Sequence, residues 1–504
     1  LPAAAPRLLR CERLGLLALL ALTLLRLAVA AAMPLLPDEA YYWVWSRALA
    51  PGYLDHPPMV ALWIAAGTAL AGEGALGVRL LAPLAAALGS LLLARAAFHL
   101  LQGEAQARRE AGVLAAALLN ATLLLGAGSV TMTPDTPLLF FWTAATWALA
   151  RLQAGGDARW WLAAGLFIGA AGASKYSALL ILPAILAWVL AVPAHRRWLL
   201  GWQLWAGAAI AAAVVAPVLA WNAAHGWASI LKQGARGGEV PPLHALQFLA
   251  ELVAGQAALA TPIVAVLCAA GVLAAICRAR GTQPGWMLLA GLSAVPAAVF
   301  ALHTLGARVQ ANWPGIAYPA AAIAAAAIAA GWQGWIRPGL ALGFGMTAAT
   351  WLQATLAPLP LPARLDPTLL RLAGWEALAA DIAAIARREG IAAVASTNYG
   401  HAALLARLLP PDLQVVGMEG RWALFRLPDA RPAIDGRPML LLHSARRDER
   451  LHTDALAAPR QVATLTRGRR GLAAEEFRLY RGTGRHGEKP AALMPRPLRR
   501  DPAP

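Results

Sequence analysis

Residues 14–43 read LGLLALLALTLLRLAVAAAMPLLPDEAYYW, and the change of character inside this stretch decides the fold. Residues 14–33 form one apolar run, and a bilayer core takes roughly 20 helical residues to cross. The run ends at Pro34; Asp38 and Glu39 stand side by side just beyond it, followed by Tyr41, Tyr42 and Trp43. Ionisable groups at a lipid–water boundary are costly unless paired or functional. Acids are scarce here, since only 11 of the 26 Asp and Glu residues lie in the first 357 positions. Two adjacent acids at the mouth of a span therefore mark the first candidate site.

The rest of the chain extends this pattern. With 59% hydrophobic residues and a mean hydropathy of +0.56, the composition lies above that of soluble globular proteins. Eleven spans are expected, near 14–33, 78–100, 111–127, 137–151, 160–173, 176–193, 198–221, 262–278, 285–303, 315–331 and 339–357. A cleavable signal peptide competes for 14–33, because Ala28-Val29-Ala30-Ala31-Ala32 imitates a cleavage site. An anchor helix is the reading adopted, since more spans follow and cleavage would detach Asp38 from the membrane. Two stretches of the first outer loop, 38–50 and 58–71, are expected to be helices in the outer interface. Three cysteines, Cys11, Cys268 and Cys277, make no disulfide framework.

Net charge is +17, and its placement says more than its size. Alternating the spans puts 13 basic residues on one side, Arg7 to Arg13, Arg108, Arg109, Arg196, Arg197 and Arg280 among them. The other side's loops hold 6: Arg47, Arg79, Lys175, Lys232, Arg236 and Arg308. The positive-inside rule makes the first side cytoplasmic. That puts the N-terminus inside, and Asp38 and the C-terminal domain outside. Asp38, Glu39, Asp55, Asp135, Glu239 and Glu251 then fall on or near the outer side.

Composition shifts after Pro358, where apolar runs shorten and 23 Lys and Arg face 15 Asp and Glu. An amphipathic helix is expected over 375–389 with Leu378, Ile382 and Ile385 on one face, and strands near 391–396, 414–417 and 439–442. The expected division is a membrane domain over 1–357, a small α/β domain over 358–481 and a disordered tail over 482–504.

Each candidate has a functional and a bland reading. Asp38-Glu39 suits a general base with an orienting neighbour, or a helix N-cap. Asp55-His56-Pro57-Pro58 could hold a phosphate, with Asp55 orienting the ring, or serve as a turn. Asp135, in Thr133-Pro134-Asp135-Thr136-Pro137, could cap a tight turn. Lys175 could pair with a phosphate or an outer acid, or snorkel. His225, His303, Lys232, Arg236 and Arg308 add outer cations and imidazoles consistent with an anionic ligand. Arg26, in mid-span, receives no role. The chain has no Gly-rich phosphate loop, no His-Glu-x-x-His and no Cys-x-x-Cys. Its basic C-terminal part lacks interleaved aromatic residues, so no nucleic-acid partner is expected.

Taken in order, several of these motifs resemble one family. They are Asp38-Glu39-Ala40-Tyr41-Tyr42-Trp43, Tyr53-Leu54-Asp55-His56-Pro57-Pro58-Met59, Thr133-Pro134-Asp135-Thr136-Pro137, Ser174-Lys175-Tyr176, Trp221-Asn222 through His225-Gly226-Trp227, and Ala311-Asn312-Trp313-Pro314. As a set over about 14–330 they resemble the bacterial family-39-type glycosyltransferases of the GT-C membrane class, relatives of the protein O-mannosyltransferases and the lipid A aminoarabinose transferase. The resemblance implies a GT-C fold and an enzyme that takes a sugar from a polyprenyl-phosphate carrier at the periplasmic face. The acceptor would be a lipid, glycan or protein, such as lipid A or the lipopolysaccharide core, and membrane lipids would surround the enzyme. It implies Asp38 near the acceptor with Glu39 as its usual neighbour, Asp135 as a second loop acid, and Lys175 by the donor phosphate. His56 stands where the aminoarabinose relatives carry a lysine, a departure from the pattern. Some relatives bind a divalent metal near these loops, to which His56 or His225 could contribute; no other cofactor is implied. The resemblance also suggests inversion at C1. The rival reading is a transporter or flippase, but such proteins place ionisable residues near the midplane in paired halves, whereas this chain gathers its acids at one boundary.

Overall fold

The computed structural model describes residues 4–234, 241–279, 283–446, 456–485 and 491–498. Arg236, Glu239 and Arg280, used in the charge count, lie outside the described residues. The chain divides into two compact units. The first comprises residues 1–28, 55–60 and 81–350; the second comprises 29–54, 61–80 and 351–504. The expected boundary at 357 thus marks only the last of the crossings, because most of the first outer loop belongs with the C-terminal part.

The first unit is helical. Among the described residues, five helices are long and apolar enough to cross a membrane: Glu12–Ala32, Ala75–Leu100, Trp202–Ala224, Pro262–Ala279 and Pro284–His303. Two further pairs pass only together and are bent, Tyr176–Ala191 with Pro193–Leu200 by 110° and Trp313–Ala327 with Ala329–Thr355 by 81°. The eleven expected spans are therefore not each matched by one long apolar helix. The span read over 111–127 shows why. It is two helices, Ala105–Asn120 and Leu123–Gly128. Asn120 donates to Ser90 Oγ and to the Ala116 carbonyl (both 2.8 Å), and Thr122 Oγ1 caps the second helix by accepting from the Leu125 amide. Leu14, Leu17, Leu20 and Leu24 are each more than half exposed, an uncovered apolar face suited to lipid. Inside, small residues set the helix spacing. A Cβ on Gly165 would lie 2.0 Å from the Gly207 carbonyl oxygen, so the helices Trp160–Gly172 and Trp202–Ala224 touch backbone to backbone. Arg26 is buried and paired after all: its Nη2 donates to Asn120 Oδ1 at 2.8 Å.

The second unit is an α/β domain around a six-stranded sheet of order β4-β5-β3-β1-β2-β6. The strands are β1 (Ala393–Ser396), β2 (Gln414–Gly417), β3 (Pro438–Ser444), β4 (Leu456–Arg469), β5 (Leu472–Gly484) and β6 (Ala492–Leu493). Strand β1 pairs in parallel with β2 on one side and β3 on the other; the remaining pairings are antiparallel. The expected helix forms over Trp375–Arg388, and Leu378, Ile382 and Ile385 are buried as its apolar spacing requires. A second helix, Tyr399–Leu408, leaves the carboxyl end of β1. Asn398 caps it, accepting from the Gly400 and His401 amides at 3.0 and 3.1 Å.

Within the Pro- and Arg-rich stretch 482–504, for which disorder is expected, residues 482–485 and 491–498 are ordered, while 486–490 and 499–504 lie outside the described residues. Strand β5 runs to Gly484, and β6 adds to β2. Arg496 Nη1 then donates to the Ala406 carbonyl at 2.6 Å, and Nη2 to Pro410 and Leu413 carbonyls. A guanidinium there satisfies carbonyls that a helix C-terminus leaves open.

Candidate functional site

Asp38 lies at the second position of the helix Pro37–Arg47. It is not the N-cap; that position is Leu36, whose amide donates to Glu39 Oε2 at 2.9 Å. Glu39 does the capping from three residues on, as in a capping box. Its carboxylate also forms a two-point ion pair with Arg79, Nε to Oε1 at 2.7 Å and Nη2 to Oε2 at 2.5 Å, with both side chains fully buried. Arg79 donates further to the Ala30 (3.0 Å), Met33 (2.5 Å) and Pro34 (2.8 Å) carbonyls. The pair staples the chain between the first span and the Asp38 helix. Glu39 is thereby committed to structure, and Asp38, half-buried, points elsewhere: its Oδ1 accepts from the Tyr399 hydroxyl at 3.0 Å.

The helix carrying Asp38 is buried from Glu39 to Ser46. Its aromatic residues face protein rather than the lipid boundary expected of them. Tyr41 packs on Tyr399 and Trp422 with ring centroids 4.5 and 5.7 Å apart, and Trp45 stacks on Tyr53 at 4.2 Å. Arg407, at the far end of the Tyr399 helix, lies over the Trp43 ring (4.6 Å) and donates to the Glu73 carbonyl. Burial pulls its guanidinium down to about 10, with Glu73 opposing the shift.

In the first unit, three loops far apart in sequence meet at Asp135. Lys175 Nζ reaches its Oδ1 at 2.7 Å and Asn312 Nδ2 its Oδ2 at 2.7 Å. Asp135 begins the helix Asp135–Gln153 without capping it, so the tight-turn reading gives way to a bridging one. Lys175 also lies 5.9 Å from the centre of the Trp313 ring. Asp55, in the bend before the helix Met59–Ala71, pairs with Lys232 (Nζ to Oδ1, 2.6 Å), and Gln233 Nε2 donates to its carbonyl at 2.6 Å.

These two ion pairs are joined by a polar knot. Asn222, fully buried, donates to the Tyr176 hydroxyl (3.1 Å), which donates to Ser229 Oγ (2.9 Å); Asn222 Oδ1 accepts from the Ile230 amide (3.2 Å). Tyr176 follows Lys175, and Ser229 precedes Lys232 by one helical turn, so the knot fixes both lysines relative to one another.

The other candidates are placed less centrally. His56 is half-buried in the bend beside Asp55. His225 ends the helix Trp202–Ala224, its ring stacked on Trp221 (4.2 Å) and its Nδ1 2.7 Å from the Trp221 carbonyl oxygen. Arg308 is exposed and paired with Glu251 (2.7 Å), over Phe248. Among the described residues no three His, Cys, Asp or Glu side chains converge as a metal site. His225 turned onto Trp221 does not fit the role of a ligand, and no step is assigned to a metal. Arg79, Tyr399 and the Asn222–Tyr176–Ser229 knot had not been singled out as functional. Arg79 did carry a signal, as a cation on the side where cations are few.

Residues 55–221 match the family of dolichyl-phosphate-mannose-protein mannosyltransferases. The chain is 34% identical over 220 residues to the lipid A galacturonosyltransferase RgtD of Rhizobium johnstonii, covering 42% of this chain and 44% of that protein. It thus spans less than half the length of this curated relative. The structure is similar to that of ArnT from Cupriavidus metallidurans bound to undecaprenyl phosphate, with a TM-score of 0.58 at 16% identity over 92% of this chain and 97% of that one. The same protein in its apo state matches with a TM-score of 0.55. The chain thus has an ArnT-like fold, the GT-C type expected from its sequence. Within the GT-C fold, the matched segment 55–221 takes in Asp55, His56, Asp135 and Lys175, three of them members of the two ion pairs.

Proposed function

We propose that the protein is a glycosyltransferase that moves a sugar from a polyprenyl-phosphate carrier to a lipid-linked acceptor, lipid A first among them, at the periplasmic face of the inner membrane. The observation that carries this reading is the meeting of Asp135 and Lys175, both inside the segment that matches the mannosyltransferase family, with Asn312 from a later loop, at 2.7 Å contacts. Polyprenyl phosphate is an anionic head on an apolar tail, and its enzyme needs cations held at a membrane boundary. Lys175 and Lys232, each paired with a carboxylate and fixed by the Asn222 knot, are suited to exchange part of that pairing for phosphate oxygens.

Transfer needs charge stabilised where it develops. As the acceptor oxygen attacks C1, the C1–O bond to phosphate breaks and polyprenyl phosphate leaves with the electron pair; Lys175 and Lys232 stabilise that charge. The acceptor proton passes to Asp38, which acts as general base. Where the acceptor is an ionised phosphate, Asp38 positions it instead. Attack opposite the leaving phosphate inverts C1. Similarity to a lipid A galacturonosyltransferase makes galacturonic acid the first sugar to test.

The test is sugar transfer from carrier lipid in reconstituted membranes, comparing wild type with Asp38→Asn and Lys175→Gln at equal folded expression. Loss of transfer in both, with weakened donor binding only in Lys175→Gln, supports the assignment. Wild-type inactivity across a panel of carrier-linked sugars, together with measurable lipid flipping, would replace it with the flippase reading.

A further inference from the structure

Asp38 makes one hydrogen bond that belongs to neither capping nor charge pairing. Its Oδ1 accepts from the Tyr399 hydroxyl at 3.0 Å, across 361 positions of sequence. The bond holds one oxygen of the half-buried carboxylate; among the described residues no hydrogen bond to Oδ2 is seen. We propose that Tyr399, supplied by the C-terminal part of the same compact unit, is the positioning residue of Asp38. The inference rests on the reading of Asp38 as the acceptor-side acid.

Three features hold the Tyr399 hydroxyl where this role needs it. Tyr399 opens a helix at the carboxyl end of β1, the strand with parallel neighbours on both sides. In α/β sheets functional groups gather at that end, where the chain reverses its direction of winding. Its ring packs on Tyr41, with centroids 4.5 Å apart, and on the Arg421 guanidinium, 3.9 Å from the ring centre. Arg421 is held in turn by Glu419 (2.8 Å) and by the Tyr41 hydroxyl (3.2 Å). Finally, Gly400 allows the start of the Asp38 helix to sit against the start of the Tyr399 helix, since a Cβ there would lie 2.8 Å from Pro37 Cβ.

The chemistry of the step keeps Tyr399 protonated. The acceptor proton moves to Asp38 Oδ2 as the new C1–O bond forms and the bond to phosphate breaks; the Tyr399 proton stays on its oxygen and donates to Oδ1 throughout. Without the hydroxyl, the carboxylate rotates freely, and the geometry needed for proton removal is sampled less often.

The experiment compares Tyr399→Phe and Tyr399→Ala in the full-length, reconstituted protein, with Asp38→Asn alongside. Phe keeps the ring, its stacking on Tyr41 and its contact with Arg421, and removes only the hydroxyl. The expected result is that Tyr399→Phe lowers kcat by roughly ten- to a hundredfold, the value of one hydrogen bond to a charged group. KM for the donor and the melting temperature should stay unchanged. If Tyr399→Phe keeps wild-type kcat while Tyr399→Ala loses it, the ring matters only for packing and the inference is overturned, with the glycosyltransferase reading intact. Full activity in Asp38→Asn would overturn the role of Asp38 and this inference with it.

Discussion

Replacing Arg79 by Met removes one side chain and strands four partners. Arg79 donates to both Glu39 oxygens and to the carbonyls of Ala30, Met33 and Pro34, and both charged side chains are fully buried. Taking away one member of a buried ion pair costs about 3–5 kcal/mol, because the remaining charge has no compensation. Three carbonyls also lose their donor, at about 1 kcal/mol each where water does not replace it. Glu39→Gln should cost less, since the amide oxygen still accepts from the Leu36 amide and from Arg79, and Arg79 keeps its carbonyls. The double variant Arg79→Met/Glu39→Gln should recover part of the Arg79→Met loss, because no unpaired charge is then buried. The assay is thermal unfolding of the purified protein in detergent, following tryptophan signals, with transfer activity measured below the transition. The expected order of stability is wild type, Glu39→Gln, the double variant, then Arg79→Met. If Arg79→Met melts with wild type, the pair does not hold the start of the Asp38 helix, and the structural assignment of Glu39 fails.

Other consequences are as specific. Asn222→Ala should lower the affinity for carrier phosphate several-fold while leaving the melting temperature within a few degrees, because it loosens two lysines rather than a core; donor titration measures it. Gly207→Val should prevent accumulation of folded protein, since any Cβ at 207 meets the Trp161 carbonyl oxygen at 2.2 Å; the folded yield after membrane extraction reports it. Asp366 and Glu475 give the C-terminal domain a defined acid limit. Burial alone would raise both, but hydrogen bonds from Thr368 and Gln353 to Asp366, and from Ser444 and Arg467 to Glu475, outweigh it and hold both carboxyls below their ordinary range. A depressed folded value means stability that is complete above the unfolded value of about 4 and is lost as pH falls through the folded one. Asp366→Asn should therefore be less stable than wild type at neutral pH and lose that difference as pH falls from about 4 through the lower folded value, as read by melting temperature against pH.

Much of this was legible in the sequence because apolar period and charge placement are local properties. Leu378, Ile382 and Ile385 announce their buried face through spacing alone, and β2 begins and ends where its residues suggest. Asp38, Asp55, Asp135 and Lys175 stand out because acids and outer cations are rare in such a chain. What they pair with was not legible. Nothing local links Asp55 to Lys232 or Asp38 to Tyr399, and Glu39 looks as reactive as its neighbour until Arg79 is seen to occupy both its oxygens. The span expected over 111–127 breaks at Asn120 to Thr122, whose side-chain bonds to Ser90, Ala116 and Leu125 involve partners that apolar spacing does not name. In the tail, composition does not reveal that Arg496 has four carbonyls within reach, which ties down residues 491–498.

The bond between Asp38 and Tyr399 also sets a schedule for synthesis. The two residues are 361 positions apart, and at roughly 5–20 residues per second the ribosome needs on the order of 20–70 seconds to travel from one to the other. For that interval the helix with Tyr41, Trp43 and Trp45 exists without the domain that buries its aromatic face. A chain that stops early carries its helices and both lysine pairs but leaves Asp38 without its guide. Such a copy also leaves Tyr41, Trp43 and Trp45 without Tyr399, Trp422, Phe425 and Arg407, the later residues that pack on them.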